Sequence, residues 1–137
     1  MVKKFGRRLV AIAAAALMVT ASAAPAFAAG YSFRFNIARG SGNRFDTTTE
    51  TRYKAYDGDD HWYFTPQSGS WNPTTTNTWA YVVWTNRPGT PSGYRNPRAY
   101  QRYDWNYQQT PAGGSALLCE IKEQSRQGYD LSGVWCP

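Results

Sequence analysis

The side chains best suited to chemistry fall in one short run, Asp57, Asp59, Asp60 and His61, with Gly58 among them. Oxygen ligands two residues apart can face one cation, and a glycine permits the tight turn, so calcium binding is the first chemistry to weigh. The run lacks the longer alternating acidic loop and the distal bidentate glutamate of an EF-hand, and it reads as a solvated hairpin turn. Two carboxylates are also the minimum equipment of a glycosidase, but a chain with nine acidic residues offers many such pairs and singles out none. His61 is the sole histidine. That excludes a multi-histidine metal cage, and a Ser-His-Asp hydrolase would have to use it without the Gly-x-Ser-x-Gly turn that presents the serine. No glycine run precedes a Lys-Ser or Lys-Thr pair, so a phosphate loop is missing too. The expectation is a protein that is not an enzyme and has neither cofactor nor metal.

Cys119 and Cys136 are the two cysteines of the chain, too few for a four-cysteine zinc site. In a small exported domain two cysteines generally pair. A disulfide between them is expected, closing a loop of about 17 residues and contributing about 3 kcal/mol in the chain-entropy picture.

The remaining material is aromatic. Rings make up 16% of the sequence, and more of them follow residue 30 than one small core should hide. Exposed Trp and Tyr stack on the apolar faces of sugars or anchor protein contacts. The loop-borne Trp71 and Tyr94, with Arg95 beside the latter, are the expected ligand contacts.

The elements that position these residues begin after a targeting segment. Lys3, Lys4, Arg7 and Arg8 form a positive leader, Leu9 to Val19 is apolar, and Ala26-Phe27-Ala28 supplies the small residues of a cleavage site. Residues 1–28 are therefore expected to be a secretory signal, and 29–137 a single secreted domain. Eleven apolar residues rise only about 16 Å as a helix, short of a bilayer core, so no transmembrane segment is expected once the signal is cleaved. The charge changes meaning with it. Of the formal +6 on 137 residues, four positive charges sit in the leader, which leaves eleven bases against nine acids. Such a small and dispersed excess argues against nucleic acid as the partner.

Along the rest of the chain the period is two. Tyr31, Phe33, Phe35 and Ile37 alternate with polar residues. Less regular runs follow at 49–56 and 61–64. Residues 79–84 are apolar on both faces, as in a central strand. Further strands are expected at 103–107, 117–122 and 131–136, separated by Gly- and Pro-rich turns. Aliphatics are scarce, so aromatic rings must supply much of the core. The expected fold is all-β, a small antiparallel sandwich or barrel of six to seven strands. Arg52-Tyr53 and Arg102-Tyr103 recur in similar settings, which cation–π pairing across neighbouring strands would explain.

The signal followed by Tyr31-Ser32-Phe33, then Arg44, Arg52-Tyr53 and the closing Leu131-Ser132-Gly133-Val134-Trp135, resembles a family of small secreted proteins of Gram-positive bacteria classed as a domain of unknown function. The resemblance implies export and carries over no functional residue. The cysteine pair departs from the family pattern. Size, signal and aromatic β content also resemble small bacteriocins, which gives an antibacterial effector as the alternative role. Together these readings point to a secreted, monomeric binding module, extracellular or associated with the cell envelope, whose partner is an envelope glycan or a surface protein.

Overall fold

The computed structural model describes residues 30–55 and 58–137. The expected signal, residues 1–28, and Asp57 of the acidic run lie outside the described residues.

The described chain is all-β, with eight strands and no helix. They are β1 (Tyr31–Ile37), β2 (Arg44–Thr47), β3 (Arg52–Tyr53), β4 (His61–Gly69), β5 (Thr78–Trp84), β6 (Tyr103–Asn106), β7 (Ala116–Glu123) and β8 (Tyr129–Cys136). A first antiparallel sheet runs β1-β8-β4-β6. In the second, β7 is central: β5 pairs along one edge of it, and β2 and β3 pair with opposite ends of the other. The strand count exceeds expectation because β2 lies outside every expected run, while the run at 49–56 narrows to β3 beside β7. The edge they form is interrupted between Thr47 and Arg52, and the Thr48 hydroxyl fills the gap by accepting the Cys119 N–H at 3.1 Å.

The two sheets close on one core, as a sandwich does. The first sheet contributes Phe33, Phe35, Ile37, Trp62, Phe64, Leu131 and Trp135, and the second Ala80, Val82, Leu117, Cys119 and Ile121. Phe33 stacks on Phe35 at 4.7 Å and on Phe64 at 4.9 Å, while Trp105 lies 5.0 Å from Trp62 and 4.6 Å from Tyr103. Each ring pair of this kind adds about 0.5–1.5 kcal/mol beyond simple burial. Rings thus replace the missing aliphatics in the first sheet, while the second keeps most of the aliphatics there are. Gly133 makes the ring layer possible. A Cβ there would meet the Thr65 carbonyl oxygen at 2.1 Å and the Phe33 ring at 2.8 Å, so no larger residue fits between β4 and that ring.

The expected disulfide is corrected by the fold. Cys119 and Cys136 are both free thiols, and both are buried. They sit on strands of different sheets. Cys119 shares the inward face of β7 with Leu117 and Ile121, whereas Cys136 stands opposite Tyr63, one residue out of phase with the inward Leu131, Gly133 and Trp135. Sequence separation and compartment suggest pairing, but side-chain direction decides it. Burial pushes both thiols above the ordinary cysteine range.

The recurrent Arg-Tyr pairs do bring guanidinium groups to rings. Arg52 lies 4.3 Å over Tyr31, and Arg102 lies 4.3 Å over Tyr63 of β4, the neighbour of β6.

Candidate ligand-binding face

The outward faces of the two sheets differ in chemistry. On the first sheet the outward residues of β1 and much of β8 are Ser32, Arg34, Asn36, Asp130 and Ser132, the solvated alternation expected of an antiparallel sheet facing water. On the second sheet the outward positions carry rings.

Register shows which residues share that surface. Phe45 stands opposite Lys122, which in turn faces Trp79; Tyr81 and Thr47 flank Glu120; Val83 faces Leu118; and Tyr53 faces Ala116. The alternation of β5 therefore puts Trp79, Tyr81 and Val83 outward while Thr78, Ala80 and Val82 face the core. The outward Trp79, Tyr81 and Val83 make β5 apolar on both faces, but it is not the central strand that this pattern suggests, since β7 is its only strand partner among the described residues. Its outer face, however, is covered by no further layer. The loop after β5 returns instead, and Ala80 and Arg95 exchange backbone hydrogen bonds of 2.7 and 2.9 Å. This sets Tyr94 against Tyr81, ring centres 4.7 Å apart and tilted at 60°.

The centre of this face is a cation between two rings. The Lys122 ammonium lies 5.8 Å from the Phe45 ring centre and 5.6 Å from that of Tyr94, within cation–π range of both. Phe45 is 54% exposed, Tyr94 50% and Tyr53 64%, so each offers much of its ring to solvent. Beneath Tyr94, Tyr81 is buried opposite Glu120 in the β5–β7 register. Burial first, then the Glu120 carboxylate, pushes the Tyr81 hydroxyl far above the ordinary tyrosine range, so it stays a neutral donor. Glu120 also accepts a 2.8 Å hydrogen bond from Thr47. The surface thus joins exposed rings, one ammonium and one oriented carboxylate on a rigid strand framework.

The three expected contacts separate. Tyr94 belongs to this face. Trp71 lies in the core, away from this face: it is 3% exposed, donates its indole N–H to Thr78 at 2.9 Å, and meets Tyr100 edge-on at 5.1 Å. Arg95 is a structural tie. Its guanidinium donates to the Asn106 carbonyl at 2.8 Å, fastening the loop to the end of β6.

Thr78, beneath Trp71, leads to a buried carboxylate that composition does not reveal. Glu123 is fully buried and accepts hydrogen bonds from the Asn77 N–H at 2.9 Å, the Ser125 N–H at 2.6 Å, the Thr78 hydroxyl at 2.6 Å and the Tyr129 hydroxyl at 2.9 Å. Desolvation alone would raise its pKa, but these donors outweigh it and hold the carboxyl below the ordinary range. All four donors are the protein's own. Glu123 is therefore a staple joining β5, β7, β8 and the loop at Ser125.

The acidic turn shows ordinary pairing. The His61 imidazole lies 3.4 Å from Asp60 and 4.0 Å from Asp104, all substantially exposed. Asp59, Asp60 and His61 place one ligand atom each within 4.8 Å of one another, an arrangement that exposed acidic groups adopt without any ion. Beside this turn, whose Asp60 carbonyl accepts the Tyr107 N–H at 2.7 Å, Lys54 is buried with its ammonium 5.0 Å from the Tyr107 ring centre. Desolvation lowers its pKa, opposed in part by Asp59.

No protein-family model, curated protein or solved structure matches this chain.

Proposed function

We propose that the protein is a secreted, non-catalytic binding module that uses the outward face of its second sheet to hold a glycan of the cell envelope. The observation that carries the proposal is the exposed Phe45–Lys122–Tyr94 array on that face. A sugar ring has an apolar C–H face and a rim of hydroxyls. Phe45 and Tyr94 suit the first, and Lys122, Glu120 and Thr47, interleaved with them, suit the second. The ring centres are no further apart than the sum of their distances to one ammonium, which is within the reach of a short oligosaccharide.

The same array favours a glycan over a surface protein. The core of a protein interface is depleted of charge, and here an ammonium and a carboxylate occupy the middle of the ring cluster. A protein would have to desolvate both without a designed partner for each, whereas hydroxyls satisfy either.

Retention of the purified protein on isolated cell walls tests this reading, comparing the native chain with Phe45→Ala and Tyr94→Ala. Each truncation is expected to reduce retention about tenfold while leaving the fold intact. Equal retention of all three would remove the face from the account.

A further inference from the structure

A second concavity lies where the sheet edges meet, between β1 and the β2–β3 connection. It encloses about 400 Å³, the size of a small-molecule site. Its walls include Tyr31, Arg34, Thr48, Glu50, Arg52 and Trp135. One of these, Arg52, brings a guanidinium that is already oriented. Arg52 lies over the Tyr31 ring, 4.3 Å from its centre, and is paired with Glu50. A guanidinium has five N–H donors in a planar fork, so this pairing leaves donors over, and the ring contact and Glu50 restrict where the group sits. Thr48 adds another. Its hydroxyl oxygen accepts the Cys119 N–H, so its own hydrogen is left for a different acceptor. Arg34 borders the cleft from β1, with its side chain on the outward face of that strand.

Donors therefore predominate in the cleft, and its one carboxylate is loosely held. The Glu50 side chain is 69% exposed, and its contact is with Arg52, two residues away. We propose that this cleft is a binding site for a small sugar acid, an oxyanion carried on a hydroxylated frame, and that Glu50 occupies the oxyanion position on Arg52 until the ligand displaces it. Arg52 holds the oxyanion, and Thr48 donates to the frame. The site is distinct from the aromatic face and does not depend on it.

Glucuronic acid, glucose 6-phosphate and glucose, each titrated into the ¹⁵N-labelled protein, test the proposal by the amide shifts of residues 47–52. Saturable shifts are expected with an acid and none with glucose. Glucuronic acid acting alone assigns a carboxylate ligand, and glucose 6-phosphate acting alone a phosphate. Arg52→Gln is expected to weaken binding at least about tenfold. Glu50→Gln, a change at an exposed side chain that leaves the core alone, is expected to tighten it about threefold by removing the competitor. Tyr94→Ala should leave these titrations unchanged, which separates this site from the face. Glucose shifting the same amides equally, no response to either acid, or weaker binding in Glu50→Gln would each overturn the proposal.

Discussion

Lys122 holds its ammonium 5.6 Å from the centre of the Tyr94 ring. One of these residues is on the central strand of the second sheet and the other on the loop that follows β5, so the contact fixes a loop ring to a strand surface. Tyr81 supports the ring from below, edge to face. A ring held on two sides loses little freedom when a ligand stacks on it, which is the condition under which an exposed aromatic contributes most to binding.

The Lys122–Tyr94 contact should be measurable on its own. In a double-mutant cycle of Lys122→Ala and Tyr94→Ala followed by urea denaturation, a coupling of about 0.5 kcal/mol is expected, the size of an exposed cation–π pair. Strict additivity would mean that the ring is not held by the ammonium.

Glu123 should be the most costly polar residue to remove. Glu123→Ala leaves two backbone N–H groups and two hydroxyls without their acceptor, and an expected loss of about 3 kcal/mol follows from unpaired buried donors. Because its folded pKa is depressed, its contribution is present above the ordinary carboxyl value of 4.5 and disappears as pH falls through the folded value. Denaturation midpoints of the native chain and Glu123→Gln should therefore converge on acidification. Midpoints that stay equally far apart at every pH would contradict this.

Lys54 gives a pH dependence of the same sign for the opposite reason, since burial disfavours its charged form. Its folded pKa is lowered by desolvation, so the unfolded chain binds more protons, and stability rises with pH from the folded value toward the ordinary 10.5. The rise should be visible below about pH 10, where tyrosines begin to ionise in the unfolded chain. Tyr107 and Tyr129, raised by burial, then reverse the trend. Lys54→Met, which keeps the stem and removes the buried ammonium, is expected to flatten the rise and to add about 1 kcal/mol at neutral pH. A variant less stable than the native chain would show that the ammonium is needed.

The thiols give a direct check on the core. With Cys119 and Cys136 buried and unpaired, a thiol reagent should label neither in the folded protein and both in denaturant without reductant. Labelling that requires reductant would restore the disulfide.

What the sequence shows of this fold, and what it hides, follows from which interactions are local. The alternation of Tyr31, Phe33, Phe35 and Ile37 is a property of consecutive residues, and β1 occupies Tyr31–Ile37. The aromatic substitution for aliphatics is likewise a matter of composition, and the stacked Phe33, Phe35 and Phe64 realise it. Partnership between strands is not local. Cys119 and Cys136 are close in sequence yet point from different sheets, and Trp71 lies in a loop yet is buried by Thr78 and Tyr100. The outward face escaped the sequence reading for the same reason. Phe45 sits on a four-residue strand too short to show a period, and only its pairing with Lys122 reveals that it shares a surface with Tyr94. The signal available was the double-faced apolar run of β5. A strand that is apolar on both faces, in a chain too small for a third layer, has to present one of them.

The most direct test of that face is a map of where the ligand lands. Soluble fragments of enzymatically digested cell wall, titrated into the ¹⁵N-labelled protein, are predicted to shift the amides of Phe45, Trp79, Tyr81, Tyr94 and Lys122 together, while those of Ser32, Asn36 and Ser132 on the opposite face stay in place. Shifts confined to the opposite face, or none at saturating fragment, would contradict the assignment of the second sheet as the binding surface.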